Sequence, residues 1–247
     1  MKVIAIIPAR YQSSRFPGKP LADICGKPMI WWVYNQVSKA TKVTDVIVAT
    51  DDIRIKKVCD KYNLRCEMTS NQHKTSTERL NEIAHRIDSD LYIAINGDEP
   101  LIDPNLIDAI VPVQKPVDSF FVSNLQTKIT NPVEALDGSN IKIVTDENDY
   151  ALLYSRNMIP YPKASIQYDF YKHVGVILYT KEALEFFAST PKGKLERIED
   201  VNELRFLEHG RKIKMVTVDA HSLSVDTPMD LEKVRVIVSK NHGGGFL

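Results

Sequence analysis

The sequence predicts an α/β fold: a doubly wound, mainly parallel sheet forming a nucleotide-binding domain, with a smaller antiparallel lobe. Three observations carry that expectation. A β-branched apolar run opens the chain at residues 3–7, and strand-like and helical periodicities then alternate through residue 96. From residue 119 the rhythm changes to short strand-like runs separated by turn residues.

Residues 3–7 contain no polar member, as a strand buried on both faces requires, and Pro8 is expected to end its ladder because it has no N–H to donate. The loop that follows carries Arg10, Arg15 and Lys19 with Ser13, Ser14 and Gly18. At the carboxyl end of an α/β strand that donor set suits an anionic, phosphate-rich ligand; a solvated basic loop is the plain alternative. Gly18-Lys19 lacks the upstream glycine spacing and the following Ser or Thr of a Walker A loop. No G-x-G-x-x-G pattern follows the strand either, which argues against a dinucleotide-binding dehydrogenase.

Pro28 stands where a first helical turn can begin. Ile30, Val33, Tyr34 and Val37 recur at helical spacing, with Trp31 and Trp32 on different sides. Residues 43–50 read as a second strand, and Asp51-Asp52 leads into a helix through Ile55 and Val58. A short strand over 64–67 precedes a polar run, after which Leu80, Ile83, Ala84 and Ile87 mark a third helix. Thr75 and Glu78 have capping-box spacing, so this helix is expected to start between 75 and 77, and its N-terminus favours an anion. Arg79 is read either as a contact to phosphate or carboxylate or as half of a surface salt bridge. His73 reads as an exposed loop histidine. Residues 90–96 form a fourth strand that runs into Gly97-Asp98-Glu99-Pro100. Asp98 beside Gly97 has the composition of an Asx turn. Facing a basic loop at the same sheet edge, it reads better as a Mg²⁺ ligand for a nucleoside triphosphate, since Mg²⁺ takes one or two carboxylates plus phosphate oxygens.

Strand-like runs at 120–125, 141–145 and 151–154, with Asp137-Gly138-Ser139-Asn140 between two of them, form the expected antiparallel insertion. Lys142, Arg156 and His173 fall within it, where periodicity assigns them no site. Ala183, Leu184, Phe187 and Ala188 mark a helix, residues 198–207 another that holds Glu203 and Arg205, and 213–218 a late strand. Asp226-Thr227-Pro228 opens the last helix, carried by Leu231, Val234 and Val238, and the glycines at 243–245 are expected to fray. The expected division is a nucleotide-binding core over 1–118, an insertion over 119–180, and a return to the core over 181–247.

The 247 residues are enough for one α/β domain with insertions. Their 32 basic and 32 acidic residues cancel, which argues against a broad nucleic-acid or anionic-membrane surface and confines phosphate recognition to a local cleft. Cys25, Cys59 and Cys66 show neither disulfide nor zinc spacing. No run has the length of a signal peptide core or a membrane span, so a cytoplasmic protein is expected.

Taken together, PARYQSSRFPGKPL, GKPMI, VATDD, TERL, NGDEP, YSRNMIPY, KHVG, LERIEDVNELRFLEHG and VDTPMDLEKVR resemble, in order and over nearly the whole chain, the 3-deoxy-manno-octulosonate (Kdo) cytidylyltransferases, or CMP-Kdo synthetases. The resemblance implies a homodimer serving surface polysaccharide, with CTP and a sugar acid as partners, Mg²⁺ as cofactor, and CMP-sugar and pyrophosphate as products. It implies that Pro8 and Ala9 line the base pocket, that Arg10 and Lys19 contact the triphosphate with Ser14 and Arg15 nearby, and that Met68, Thr69 and the loop to Thr77 wall the cytosine. Asp98 and Asp226 match the family's metal-holding carboxylates, and Arg79, Arg156 and His173 match positions that approach the sugar acid.

Departures gather on the acceptor side. Asn96 stands where the family usually has glutamine, Thr75-Ser76 where it has Ser-Gly, Lys172 where it has arginine, Ile177 where it has tyrosine, and Asn202-Glu203 where it has Glu-Gln. Asn96, Asn202 and Glu203 therefore join the candidate acceptor residues, and the nucleotide chemistry is expected to serve Kdo, a modified octulosonate or another small acidic acceptor. The rival reading is a nucleotide-binding protein that has lost catalysis.

Overall fold

Alternation along β1 (Val3–Ala9) sets up a core on each side of one sheet. Val3, Ala5, Ile7 and Ala9 enter one buried cluster, and Ile4 and Ile6 enter the other. Burying one such Ile or Val contributes roughly 1.5–3 kcal/mol relative to exposure, so a polar residue anywhere in this run would be costly. The computed structural model describes residues 1–12, 16–164, 169–220 and 223–242. Ser13, Ser14, Arg15 and the glycines at 243–245, singled out above, lie outside the described residues.

The chain continues through a two-strand ribbon, β2 (Asp23–Ile24) and β3 (Lys27–Pro28), to α1 (Met29–Val37), β4 (Asp45–Thr50), α2 (Ile53–Lys61), β5 (Cys66–Met68), α3 (Ser76–Arg86), β6 (Leu91–Ile95) and α4 (Pro104–Ile110). Then come β7 (Val122–Lys128), α5 (Pro132–Leu136), β8 (Lys142–Thr145), β9 (Ala151–Ser155), β10 (Tyr171–Tyr179), α6 (Lys181–Ser189), α7 (Lys194–Glu199), α8 (Leu204–Glu208), β11 (Lys214–Val218) and α9 (Pro228–His242). Among the described residues the main sheet runs β11-β7-β10-β6-β1-β4-β5, with β8 beside β10 and β9 beside β8. Its β6-β1-β4-β5 portion is parallel. Helices α1, α4 and α9 cover one face and α3, α6 and α8 the other, the doubly wound arrangement expected.

Several local expectations need correction. Pro8 does not end β1, which continues to Ala9 with Pro8 beside Ala49 of β4. Val3 O accepts from Thr44 N and Lys2 O from Leu91 N, so odd residues bond toward β4 and even ones toward β6. The β6 ladder stops at Ile6 opposite Ala94, and Pro8 therefore lacks its N–H on a side where no strand needs it. Trp31 and Trp32 both pack partly buried against the same core cluster, edge to face at 5.0 Å. The helix expected over 198–207 is two, because Asp200 adopts φ 52° and ends α7. Strand β10 and helix α4 escaped the sequence reading altogether. β10 pairs antiparallel with both β6 and β7, so the sheet is continuous across the expected boundaries near 118 and 180.

The α7–α8 corner is held by a buried ion pair. Arg205, 3 % exposed, donates from Nε and Nη2 to the fully buried Glu196 carboxylate at 2.8 and 2.6 Å, and from Nη1 to Phe187 O at 2.8 Å. Truncation would leave Glu196 charged and largely unpaired in the interior. Arg205→Ala is therefore expected to lower the unfolding free energy by about 3–5 kcal/mol, read by urea denaturation; a loss below about 1 kcal/mol would show the corner to be held by other contacts.

Candidate active site

From β1 the chain winds outward to β4 and β5 and then returns to β6 on the other side of β1. A crevice opens at such a reversal, outside the carboxyl ends of β1 and β6, and ligands of open α/β sheets bind there. Gly97 lets these two strand ends meet, since a Cβ at that position would come within 3.0 Å of Pro8 O. Asp98 O accepts from Val225 N at 2.8 Å, which carries Asp226 to the same point from the far end of the chain.

Lys19 reaches this point through a loop closed by Gly18, whose N donates to Tyr11 O at 2.8 Å. Gly18 has φ 73°, the left-handed region, and an added Cβ would also crowd the Tyr11 ring at 3.1 Å. Lys19 Nζ donates to Asp98 Oδ2 at 2.7 Å and lies 3.5 Å from Asp226 Oδ1. Asp98 Oδ1 is buried with no hydrogen-bond partner among the described residues. An orphaned carboxylate oxygen beside a second carboxylate fits a divalent cation. Mg²⁺ takes one or two carboxylates and completes its shell with phosphate oxygens and water, and Asp98 and Asp226 supply two carboxylates.

The cleft around this pair has a volume of ≈ 390 Å³ and is lined by Pro8, Ala9, Arg10, Lys19, Arg79, Asn96, Asp98, Asn202 and Asp226. These come from the sequence-predicted set. His73, Lys74, Thr75, Ser76, Lys192 and Asp200 also line it, and of these Lys74 and Lys192 are cations that sequence reasoning left out. Lys74 stands immediately before the helix cap, a position that the capping-box spacing could have flagged. Lys192 arrives by tertiary packing alone. The cleft is thus rich in cations in a chain of zero net charge, the local concentration that a polyanion requires.

The α3 N-terminus opens into this cleft. Thr75 Oγ1 accepts from Glu78 N at 3.2 Å, and Glu78 Oε2 accepts from Thr75 N at 3.2 Å and Lys74 N at 2.7 Å, so the capping box is present where its spacing put it. His73 is half-buried rather than an exposed loop residue, with Nε2 2.5 Å from Glu82 Oε2. Arg79 is 4 % exposed, with Nη2 donating to Asp51 Oδ2 at 2.9 Å and Nη1 to Thr69 Oγ1. It ties the end of β4 to α3 as a buried pair, not a surface one.

Met68, Thr69, Thr77, Arg156, His173 and Glu203 are not among the residues that line the cleft. Thr69 N donates to Thr50 O at 2.8 Å and extends the β4–β5 pairing by one residue. Thr77 is buried against Tyr179. Arg156 spends its guanidinium on carbonyls, those of Glu199 at 2.6 Å, Gly138 at 3.0 Å and Asp200 at 3.2 Å. The fully buried Lys142 ammonium donates to Asp137 O, Asn140 O and Arg156 O at 2.9, 2.7 and 2.5 Å, so this pair braces the turn at 137–140 against α7.

In two of these residues, His173 and Glu203, burial shifts the protonation. Burial holds the His173 imidazole down to about 4 and pushes the Glu203 carboxyl up to about 7, Glu196 adding to the latter. Near neutral pH Glu203 is therefore partly protonated, and a protonated Glu has the shape and hydrogen-bonding groups of a glutamine less one hydrogen. Between an ordinary 4.5 and about 7 the folded state holds a proton that the unfolded chain releases, so Glu203 contributes stability that is lost as pH rises through that window. His173 acts oppositely, losing stability as pH falls from 6.5 towards about 4. Glu203→Gln fixes the neutral form. Its melting temperature relative to the parent is expected to climb between about pH 5 and pH 8, by up to roughly 3 kcal/mol in free energy; a pH-independent difference would remove Glu203 as the titrating group.

A family model described as cytidylyltransferase matches residues 4–213. Among curated relatives, a 3-deoxy-manno-octulosonate cytidylyltransferase of Geotalea uraniireducens is 44 % identical over 95 % of this chain and 98 % of its own length. An 8-amino-3,8-dideoxy-manno-octulosonate cytidylyltransferase of Shewanella baltica is 43 % identical over 94 % of this chain and 97 % of its own. Among solved structures, CMP:2-keto-3-deoxy-manno-octonic acid synthetase complexed with CTP superimposes with a TM-score of 0.91 at 37 % identity, covering 98 % of this chain and 100 % of that one. Near-complete coverage in both directions, together with a crevice whose charged groups come from β1, β6 and the segment before α9, leads to one conclusion: the chain belongs to the 3-deoxy-manno-octulosonate cytidylyltransferase family.

Proposed function

We propose that this cytidylyltransferase transfers CMP from CTP to Kdo or a modified octulosonate, releasing pyrophosphate, in the crevice between β1 and β6. The observation that carries the reading is the Lys19 ammonium held between Asp98 and Asp226 at the strand-order reversal. Attack by the acceptor's anomeric hydroxyl joins its oxygen to the α-phosphorus while the bond to the pyrophosphate oxygen breaks and the hydroxyl proton is lost to solvent. The acceptor is an anion and the triphosphate a polyanion, so their approach is opposed until charge is neutralised. Arg10, Lys19, Lys74 and Lys192 supply that charge, and the α3 N-terminus adds its partial positive end. Mg²⁺, held by Asp98 and Asp226, would add Lewis-acid neutralisation of phosphate oxygens when bound. Positioning and electrostatics suffice, and the reaction needs no covalent nucleophile.

The two octulosonates remain distinct readings because the relatives named for them match this chain at 44 % and 43 % identity. A homodimer belongs to the same proposal, supported by the exposed Val133 and Leu136 of α5 and Leu152 of β9. So does a cytoplasmic location, supported by the lack, among the described residues, of any helix long and apolar enough to cross a membrane.

Pyrophosphate release with CTP, Mg²⁺ and a panel of sugar acids tests the reaction. Turnover of Kdo, 8-amino-Kdo or both is the expected result; metal-dependent CTP binding without turnover of any acceptor would favour the non-catalytic reading. Asp98→Asn and Asp226→Asn are each expected to lower kcat by about 10²-fold or more with unchanged circular dichroism. Near-parental turnover in either variant would exclude that residue from the charged pair.

A further inference from the structure

Strand β10 pairs unevenly with β7. His173 stands opposite Gln126 and Ile177 opposite Asn124, so four steps along β10 match two along β7 and the strand carries two extra residues over 174–176. Bulges deprive backbone groups of ladder partners and re-aim side chains beside functional sites. Asn124 replaces the lost partners here. It is fully buried, and its Nδ2 donates to Val174 O and Val176 O, each at 3.0 Å.

Those two bonds decide which end of the amide is which, because two carbonyl oxygens can only be met by the NH₂ group. Asn124 Oδ1 is therefore an acceptor, and it takes the Tyr154 hydroxyl at 3.1 Å and His173 Nδ1 at 2.9 Å. An amide oxygen has no proton to give, so the proton of this last bond sits on His173 Nδ1. The imidazole is uncharged at neutral pH, since burial holds it down to about 4, and its Nε2 is left as a lone-pair acceptor. Two donors and two lone pairs of Asn124 are thus all engaged.

The same bulge reaches the cleft at Gly175. Its carbonyl accepts from Asn96 N at 3.1 Å. A Cβ at 175 would stand 2.0 Å from Asn96 Nδ2 and 2.7 Å from Glu99 Oε1, so the cleft-lining Asn96 occupies the space that any other residue at 175 would need.

We propose that Asn124 is a positioning residue for the acceptor side of the cleft: it closes the β10 bulge, seats Asn96 against Gly175, and holds His173 as the Nδ1–H tautomer. The assignment deepens the octulosonate reading above and rests on it for the identity of the acceptor, but not for the tautomer.

Long-range ¹H–¹⁵N spectra of the imidazole groups, assigned with His173→Gln, test the tautomer without substrate. The parent protein is expected to show His173 protonated on Nδ1, with no titration between about pH 7.5 and pH 5.5. Tyr154→Phe should keep that signature, and Asn124→Ala should lose it to mixed tautomers. In steady-state kinetics with CTP and the accepted sugar acid, Asn124→Ala and Gly175→Ala are each expected to raise the acceptor KM by about tenfold, with the CTP KM within about twofold of the parent. A parent His173 protonated on Nε2, or titrating near an ordinary histidine, would overturn the assignment. So would a folded Asn124→Ala protein with the parent's tautomer and acceptor KM. Should Asn124→Ala fail to fold, the parent spectra and Gly175→Ala still decide. If no sugar acid is turned over, the octulosonate reading fails by itself while the spectra still settle the tautomer.

Discussion

Two ionised carboxylates side by side at the floor of a cleft each raise the cost of ionising the other, and a cation between them offsets that cost. In this chain Lys19 is a cation placed to meet that need, bonded to Asp98 at 2.7 Å and lying 3.5 Å from Asp226. The three residues come from an opening loop, a strand end and a segment over two hundred residues later. Bringing them together explains features that otherwise look incidental. Gly97 removes a side chain so that β1 and β6 can converge, Val225 bonds the Asp98 carbonyl, and Gly18 turns left-handed to aim the loop. The buried, unpartnered oxygen on Asp98 marks the part of this arrangement that Lys19 leaves unsatisfied, where a second positive charge fits.

Away from this pair a different physical rule holds. Buried polar groups there find their partners within the protein: Asn124 with two backbone carbonyls, Arg79 with Asp51 and Thr69, Lys142 with three carbonyls, Arg205 with Glu196. In a low-dielectric interior each such group is costly if its partner is removed, so the set has few alternative arrangements. Glu203 fits the same pattern. Burial pushes it up to about 7, and near neutrality it presents much the same hydrogen-bonding face as the glutamine that the family resemblance leads one to expect there.

Much of this was legible in one dimension. The apolar run at β1, the helical spacing in α1 and α3, the Thr75–Glu78 capping box and the alternation of strands with helices up to residue 96 follow from local periodicity and side-chain chemistry, and each formed within a residue or two of its expected place. The basic loop and the Asp98 carboxylate could also be read as one half and the other half of an anion site, because both follow parallel strands and so must lie at the same sheet edge. β10 was invisible for an equally local reason: Gly175, Lys172 and His173 break the alternation that identifies a strand, and the pairing with β7 is bulged between His173 and Ile177. The division of one expected helix at Asp200 likewise depends on a single left-handed residue.

What the sequence by itself determined, then, is the layered α/β core, the nucleotide-binding end of it and the family, since these rest on repeating patterns and on motifs contiguous in the chain. Only the tertiary structure decided which cations share the cleft, that Arg79 is bound to Asp51 and Thr69, that Arg156 serves carbonyls, and that His173 is turned by Asn124. Those facts depend on contacts between residues far apart in sequence, and on burial, which sets protonation and hydrogen-bond direction; neither has any periodicity along the chain.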